Sequence, residues 1–317
     1  MRKLILLLFA FSYGYSINAQ SLEFSLSDYT LLPQKPVGKL HGISGIEYIA
    51  SKKQWHLASD RGNYFIFDSI ATLGDFEKRE HLAIEKKTGN WFEAIRYDEK
   101  SGIFLYAVEN EYKANKETCD TTTYVSYMDS FPPSYLIPPF HLPADNKGIE
   151  AISVTENGAV WVAPEAGWAG ETEMGNDTIH FKKFERTVSG YQEAGQFSYV
   201  IDRSGCPMSA TEKRGGISEI LSVNENQLLV LERCFDQKVT DKIKARLWSV
   251  TVEGSHLKKD KKPAFDFNDG FPMVVDNLEG MSWWTPENGK RQLLLITDDN
   301  PGLKNNQRTQ LILLKEK

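Results

Sequence analysis

With three cysteines in 317 residues the chain is too poor in thiols for a disulfide framework, so a packed core must hold the fold. Basic charge is not in excess either. Lys and Arg number 37 against 43 Asp and Glu, a net charge of -6, and the one compact basic block is Lys258–Lys262. No nucleic acid partner is expected from such a balance. A content of 41% hydrophobic and 25% charged residues excludes a membrane-embedded bundle, a disordered tail and a collagen-like fibre. None of the six histidines forms a His-x-x-x-His pair and no Cys-x-x-Cys occurs, which argues against zinc. A phosphate loop, a dinucleotide fingerprint and a His-Glu-x-x-His motif are all missing. Gly42-Ile43-Ser44-Gly45 is only part of a nucleophile elbow, because Ile46 stands where a glycine is required. Helical periodicity is weak, with some helical spacing only in Asp236–Arg246.

What is present points to sheets. Aromatic residues make up 12% of the chain and suit pleated surfaces. At the N-terminus Arg2 and Lys3 precede an apolar run from Leu4 to Phe11, then a softer Ser12–Asn18 segment and Ala19-Gln20. This is the pattern of a secretory signal peptide over residues 1–19. The run is too short to cross a bilayer core of ~30 Å, and no cysteine follows it for a lipid anchor. The mature chain, residues 20–317, is expected to be periplasmic or secreted, without a transmembrane segment. It would carry 35 basic against 43 acidic residues.

The chain also repeats itself, and a repeat fixes architecture. Gly42-Ile43-Ser44-Gly45-Ile46, Trp91-Phe92-Glu93-Ala94-Ile95, Gly148-Ile149-Glu150-Ala151-Ile152, Gly216-Ile217-Ser218-Glu219-Ile220 and Asn277-Leu278-Glu279-Gly280-Met281 share one pattern. Each has an apolar residue, then Ser or Glu, usually a small residue, and another apolar one. A turn follows, then a strand-like run: Gln54–Ser59, Ile103–Val108, Ala159–Ala163, Gln227–Leu231 and Gln292–Thr297. Just past these runs come the acids Asp60, Glu109, Glu165, Glu232 and Asp298. They lie 16, 16, 15, 14 and 19 residues after the Ser or Glu, the reach of a β-hairpin. Outer strands are expected at Tyr64–Ser69 with Glu80–Glu85, Thr122–Tyr127 with Ser134–His141, Ile179–Thr187 with Gln196–Ile201, and Ala245–Val252 with Lys262–Phe267. The fifth repeat has only Gln310–Lys315, and the strand-like Leu22–Leu32 can supply its missing outer strand. The expectation is an all-β chain forming one β-propeller of five four-stranded blades, or six if a long repeat hides another, closed by the N-terminal strand.

In such a blade the inner strand begins where the second strand ends. Ser44, Glu93, Glu150, Ser218 and Glu279 therefore share one channel mouth with Asp60, Glu109, Glu165, Glu232 and Asp298. Crowded carboxylates raise one another's pKa unless a cation neutralises them, and an all-oxygen set suits Ca²⁺. The expected metal ligands are Asp60, Glu93, Glu109, Glu150, Glu165, Glu232, Glu279 and Asp298, with the amides Asn110, Asn146, Asn277 and Asn300 placed to complete the shell. The competing reading is that these acids accept backbone hydrogen bonds and lock neighbouring blades. Arg61 and Arg233, each following an acid, are expected to grip a phosphate or carboxylate. His41 is a candidate acid or base beside Glu150 and Glu279, and Trp168 a candidate pocket wall. Cys206 and Cys234 fall at the same end and suit a disulfide in an exported chain, leaving Cys119 as the odd thiol.

Five pieces taken together resemble a known family. They are Gly45 to Gly62 with Ser59-Asp60-Arg61-Gly62, Asn146-Lys147-Gly148-Ile149-Glu150-Ala151, Leu229-Val230-Leu231-Glu232-Arg233, Asn277-Leu278-Glu279-Gly280, and Leu294-Leu295-Ile296-Thr297-Asp298-Asp299-Asn300. The order and content resemble the phytase-like family described as "esterase-like activity of phytase". The resemblance implies a secreted β-propeller that hydrolyses esters or phosphoesters. The leading expectation is a Ca²⁺-assisted hydrolase of a small anionic ester, acting as a monomer. The alternatives are a non-catalytic propeller that binds a ligand or partner through the same mouth, and a lactonase-like hydrolase.

Overall fold

Leu293-Leu294-Leu295-Ile296 is apolar at every position, a pattern a period-two strand tolerates only when both sheet faces are covered. In the computed structural model Leu293 and Leu295 pack to one side of their sheet, and Leu294 and Ile296 to the other. The structure describes residues 21–34, 38–115, 118–127, 134–143, 148–168, 171, 177–204, 206, 215–234, 243–286, 289–300 and 307–317, without the side chains of 110–121 and 141–143. The signal segment, the side chains of Asn110 and Cys119, Asn146 and most of the Asp236–Arg246 stretch lie outside this description.

The chain enters through β1 (Phe24–Leu31) and then repeats an antiparallel unit. The first unit is β2 (Ile43–Ile49), β3 (Gln54–Ser59), β4 (Asn63–Asp68) and β5 (Ile84–Lys87), with helix α1 (Leu73–Arg79) and a 3-10 turn, Glu80–Leu82, before its last strand. The second is β6 (Phe92–Asp98), β7 (Ile103–Asn115), β8 (Thr118–Tyr127) and β9 (Tyr135–Pro143). The third is β10 (Ile149–Val154), β11 (Val160–Pro164), β12 (Thr178–Thr187) and β13 (Gly190–Val200). The fourth is β14 (Gly216–Asn224), β15 (Gln227–Cys234), β16 (Lys244–Glu253) and β17 (His256–Lys259), followed by β18 (Phe265–Asp266) and the short helix α2 (Phe267–Gly270). The last is β19 (Asn277–Trp284), β20 (Gln292–Asp298) and β21 (Gln310–Glu316), with β1 antiparallel on β21 as its outer strand. A single parallel pairing, Ser198 with His256, joins the third and fourth units into one larger sheet.

The innermost strands neighbour one another in turn, β2 with β6, β6 with β10, β10 with β14, β14 with β19, and β19 again with β2. Between successive units lie five apolar clusters. One holds Tyr64 and Ala58 against Ile95, Tyr106 and Val108, and another Trp161 and Phe181 against Ile217, Val230 and Val250. Each fully buried aliphatic or aromatic side chain contributes about 1.5–3 kcal/mol, so these interfaces hold the units in an all-β, propeller-type arrangement. Among the described residues no helix is long and apolar enough to cross a membrane.

Two strand expectations are corrected. The stretch Glu80–Glu85 is helical through Leu82, and its strand begins at Ile84. The Asp75 carboxylate accepts the Thr72 backbone N–H at 3.0 Å at the start of α1, while Leu73 and Phe76 bury themselves in the first unit's core. In the fourth unit the outer strand is His256–Lys259, not Lys262–Phe267. Gly254, at φ 61°, turns the chain tightly enough for Glu253 to pair with His256. Phe265-Asp266 instead pairs with the start of β16.

A carboxylate-lined mouth

Every repeat signature contains a β-bulge at the same place. The register skips one residue between Ile43 and Gly45, Phe92 and Ala94, Ile149 and Ala151, Ile217 and Glu219, and Leu278 and Gly280. The extra residues are Ser44, Glu93, Glu150, Ser218 and Glu279. A bulge re-aims a side chain and stops it from joining the alternating core pattern, which is why a polar residue is tolerated at the start of an otherwise apolar strand.

The partner strands end in register with these bulges. The backbone N–H groups of Asp60, Glu109 and Glu165 donate to the carbonyls of Gly42, Trp91 and Gly148, and Asp298 pairs with Asn277. In the fourth unit the residue at this place, opposite Gly216, is Arg233. Glu232 sits one position earlier, opposite Ile217, and so faces the other way. It accepts hydrogen bonds from Tyr199 Oη at 2.8 Å, Trp248 Nε1 at 2.9 Å and the Asp202 N–H at 3.1 Å, and pairs with Lys259. Burial raises its pKa and the Lys259 charge opposes that rise. Glu232 thus belongs to the joint between the third and fourth units, and the mouth loses one of its eight expected ligands. The hairpin length of 14 residues, against 15 or 16 in the first three repeats, was the sequence signal of this offset.

The other seven acids feel one another. Asp60 is pushed up to about 7 by burial and by Glu279, against the nearby Arg61. Glu109 is pushed up to about 7 by burial and Glu165, although the Gly148 N–H donates to it at 2.6 Å. Glu93 is raised well above the usual carboxylate range by burial, then by Glu150, Glu109, Asp60 and Glu279. Burial also raises Glu150, helped by Glu165, Glu109 and Glu279, and burial with Glu279 and Asp60 raises Asp298. Glu109 also realises the blade-locking reading, because it ties the second unit to the first residue of β10's approach. A Cβ at position 148 would collide with its carboxylate, so only glycine fits there.

The two arginines differ. Arg233 Nη1 lies 2.7 Å from Glu279 Oε1 and also bonds Asn277, while Nη2 is 4.0 Å from Glu165. Its guanidinium is 12% exposed, so its donors are committed to the mouth's own acids. Arg61 is 37% exposed and pairs with Asp60 at 3.2 Å, at the rim. The His41 ring packs edge-on against buried Phe65, in the core of the first unit. Asn277 donates to Glu279 at 2.6 Å, whereas the Asn300 side chain donates to Gln307 at 2.8 Å. Trp168 donates to the His180 carbonyl at 2.7 Å and packs against Phe140. Beside Arg233, Cys234 is bonded to Cys206 with Cα atoms 5.6 Å apart.

Further along the same inner strands lies a group that sequence reasoning missed. Arg96 on β6 is 1% exposed. It reaches Glu219 on β14 at 2.7 Å and Glu47 on β2 at 3.6 Å, and donates to the carbonyls of Ile95, Ile46 and Ile220. One side chain thus ties three units together beyond the mouth. Glu219 is pushed up to about 8 and Glu47 to about 7 by burial, with Arg96 opposing both shifts. The available signal was a charge in the apolar run Ile95-Arg96-Tyr97, three residues past a bulge, matched by Glu47 at the same offset in the first unit.

Among the described residues the mouth's donors are carboxylates, the Ser44 hydroxyl and the Asn277 amide, a set of hard oxygen ligands that suits a divalent cation such as Ca²⁺. Asp60 Oδ1 and Ser44 Oγ are buried and lack a hydrogen-bond partner among the described residues. Among those residues no group of three His, Cys, Asp or Glu side chains is drawn together into a ready-made metal cage.

Fold and site therefore define an all-β chain of propeller type with an acidic mouth at one end of its inner strands. The family model described as "Phytase-like: Esterase-like activity of phytase" matches residues 38–301, and the chain belongs to that family. No curated protein matches it in sequence. Similar solved structures include the RRP9 WD40 repeats (9% identity, TM-score 0.48, 93% of this chain and 100% of that one). Others are a soluble aldose sugar dehydrogenase from Escherichia coli (9%, 0.44, 91% and 99%) and a Bacillus subtilis arabinanase (11%, 0.43, 92% and 96%). At such scores the likeness carries no argument about chemistry.

Proposed function

We propose that the mature chain is an exported five-bladed propeller that hydrolyses phosphoesters or carboxylic esters at its acidic mouth with the help of Ca²⁺. The observation that carries this reading is the convergence of seven acids on one mouth where Asp60 Oδ1 and Ser44 Oγ have no hydrogen-bond partner among the described residues. Five inner strands in a closed succession support the blade number, and the Cys206–Cys234 bond supports an oxidising compartment. Asp60, Glu93 and Asp298 would hold the ion, with Glu109, Glu150, Glu165 and Glu279 around it. A calcium ion there supplies Lewis-acid polarisation of an ester oxygen. Arg61, at the rim, holds the substrate's anionic group. Glu150, whose carboxyl favours its protonated form, delivers a proton to the leaving oxygen, and Glu279 orients Arg233. This reading gives no step to His41, whose ring lies edge-on to Phe65.

A screen of phosphate monoesters, phosphate diesters and carboxylic esters, with calcium or with chelator, tests the proposal. Chelator-sensitive turnover that falls at least about 100-fold in Glu150→Gln is expected. No turnover on any of these substrates, with calcium still bound, would replace hydrolysis by ligand binding at the same mouth.

A further inference from the structure

The partner-strand position that holds an acid in four units holds Arg233 in the fourth. This substitution divides the mouth. On one side, Glu279 and Asn277 both grip the Arg233 guanidinium, and Glu165 stands 4.0 Å from it. Glu150 enters from the bulge between them and feels the same positive charge. On the other side stand Asp60, Glu93 and Asp298, with Glu279 at the boundary, since it is also the acid that Asp60 and Asp298 feel most. Among the described residues the cation paired with them is Arg61, which reaches Asp60 from the rim and is 37% exposed. Asp299, next to them, is already spent on the Gly42 N–H at 2.8 Å. In this second sector Ser44 is 1% exposed and stands at the bulge position from which Glu93, Glu150 and Glu279 are aimed. Its hydroxyl and Asp60 Oδ1 are the buried mouth oxygens without a hydrogen-bond partner among the described residues.

We propose that Arg233 is the resident cation of the Glu150–Glu165–Glu279 sector, leaving the Ser44–Asp60–Glu93–Asp298 sector as the one that takes an external divalent ion. The inference rests on the mouth being a cation site, and it deepens that reading by assigning each half of the charge its own neutraliser. Arg233 is accordingly a positioning residue, not a clamp for the substrate anion. Buried acids of the first sector need a positive charge close by, because an unpaired buried carboxylate is costly. A guanidinium meets that need with directional donors fixed to the chain. Where no such side chain is supplied, oxygens of a serine and three carboxylates remain for a hard ion that takes six to eight oxygen ligands.

The test compares Ca²⁺ stoichiometry, by native mass spectrometry and by titration with Tb³⁺ as a luminescent substitute, in the full mature chain and its variants. Arg233→Gln is expected to bind one ion more per chain than the wild type, and Arg233→Lys the same number as the wild type. The extra ion is expected to persist in Arg233→Gln combined with Asp60→Asn. An Arg233→Gln chain with unchanged stoichiometry overturns the proposal, and loss of the extra ion in the double variant overturns the division into sectors. If Arg233→Gln does not fold without metal, recovery of its β-sheet circular dichroism in Ca²⁺ but not in chelator supports the proposal, and failure to recover in Ca²⁺ overturns it. The difference between variant and wild type tests Arg233. The wild-type number and its turnover test the hydrolase reading separately, so the two can fail independently.

Discussion

Two sets of acids hang from the same inner strands, a few residues apart, and are neutralised in different ways. Toward the middle of the strands, Glu47 and Glu219 share Arg96, whose Nη1 and Nη2 also donate to three backbone carbonyls, while its Nε has no hydrogen-bond partner among the described residues. At the mouth, seven acids meet Arg233 and the partly exposed Arg61, and Asp60 Oδ1 and Ser44 Oγ lack a hydrogen-bond partner among the described residues. In the first set the two acids are paired with one arginine, which ties three units. In the second, the acids outnumber the cations paired with them among the described residues. Local charge balance, more than the presence of acids, separates the two clusters.

The most severe way to break this contrast is Arg96→Met. It strands Glu219 and Glu47 without a counter-charge and is expected to cost about 3–5 kcal/mol in urea unfolding at pH 8. A cost under about 1 kcal/mol would mean that the inner pair is not a structural tie. Next comes calcium. At an ion concentration 100 times its Kd, the folded wild type should gain about 2.7 kcal/mol. Asp60→Asn and Glu93→Gln should lose most of that gain, and Glu47→Gln should keep it, as read by thermal melts with and without calcium.

The pH dependence of stability is a smaller effect that sharpens the comparison. Glu47 and Glu219 hold their protons to about 7 and about 8 in the folded chain, against a usual value of 4.5. The folded state therefore binds more protons than the unfolded one between these values, and stability falls as pH rises from 4.5 toward 8. In chelator the melting temperature should drop between pH 5 and pH 8, and Glu219→Gln should flatten part of that slope. The smallest effect expected concerns Glu232→Gln. Since Glu232 faces Tyr199, Trp248 and Lys259, Ca²⁺ affinity should change less than about twofold while stability falls by about 1–3 kcal/mol. A tenfold loss of affinity would return Glu232 to the mouth.

Much of the framework was legible in the chain itself, because period-two apolar runs and a repeated signature constrain it. Gln54–Ser59 is strand β3 to the residue, and β1 lies on β21 where an outer strand was lacking. The repeat also located Ser44, Glu93, Glu150, Ser218 and Glu279 at equivalent bulges. Legibility failed where one residue of register or one local turn decided the outcome. A shift of one position exchanges the two faces of a strand, and this put Arg233 in place of Glu232. Helix α1 escaped notice because it is only seven residues long and its capping residues, Thr72 and Asp75, were the sole cue. Arg96 was invisible for another reason: its partners Glu47 and Glu219 are 49 and 123 residues away in the chain and meet it only across the ring.

By itself the sequence determined the all-β class and the shared pattern of the repeat signatures, since strand periodicity and repeat spacing are local properties. The tertiary structure alone decided which charges cancel. That depends on distances between strands that no linear spacing encodes: 2.7 Å from Arg233 to Glu279 and 2.7 Å from Arg96 to Glu219. Coulombic and hydrogen-bond energies fall off within a few ångströms, so closure of the ring sets which acids are satisfied and which remain available.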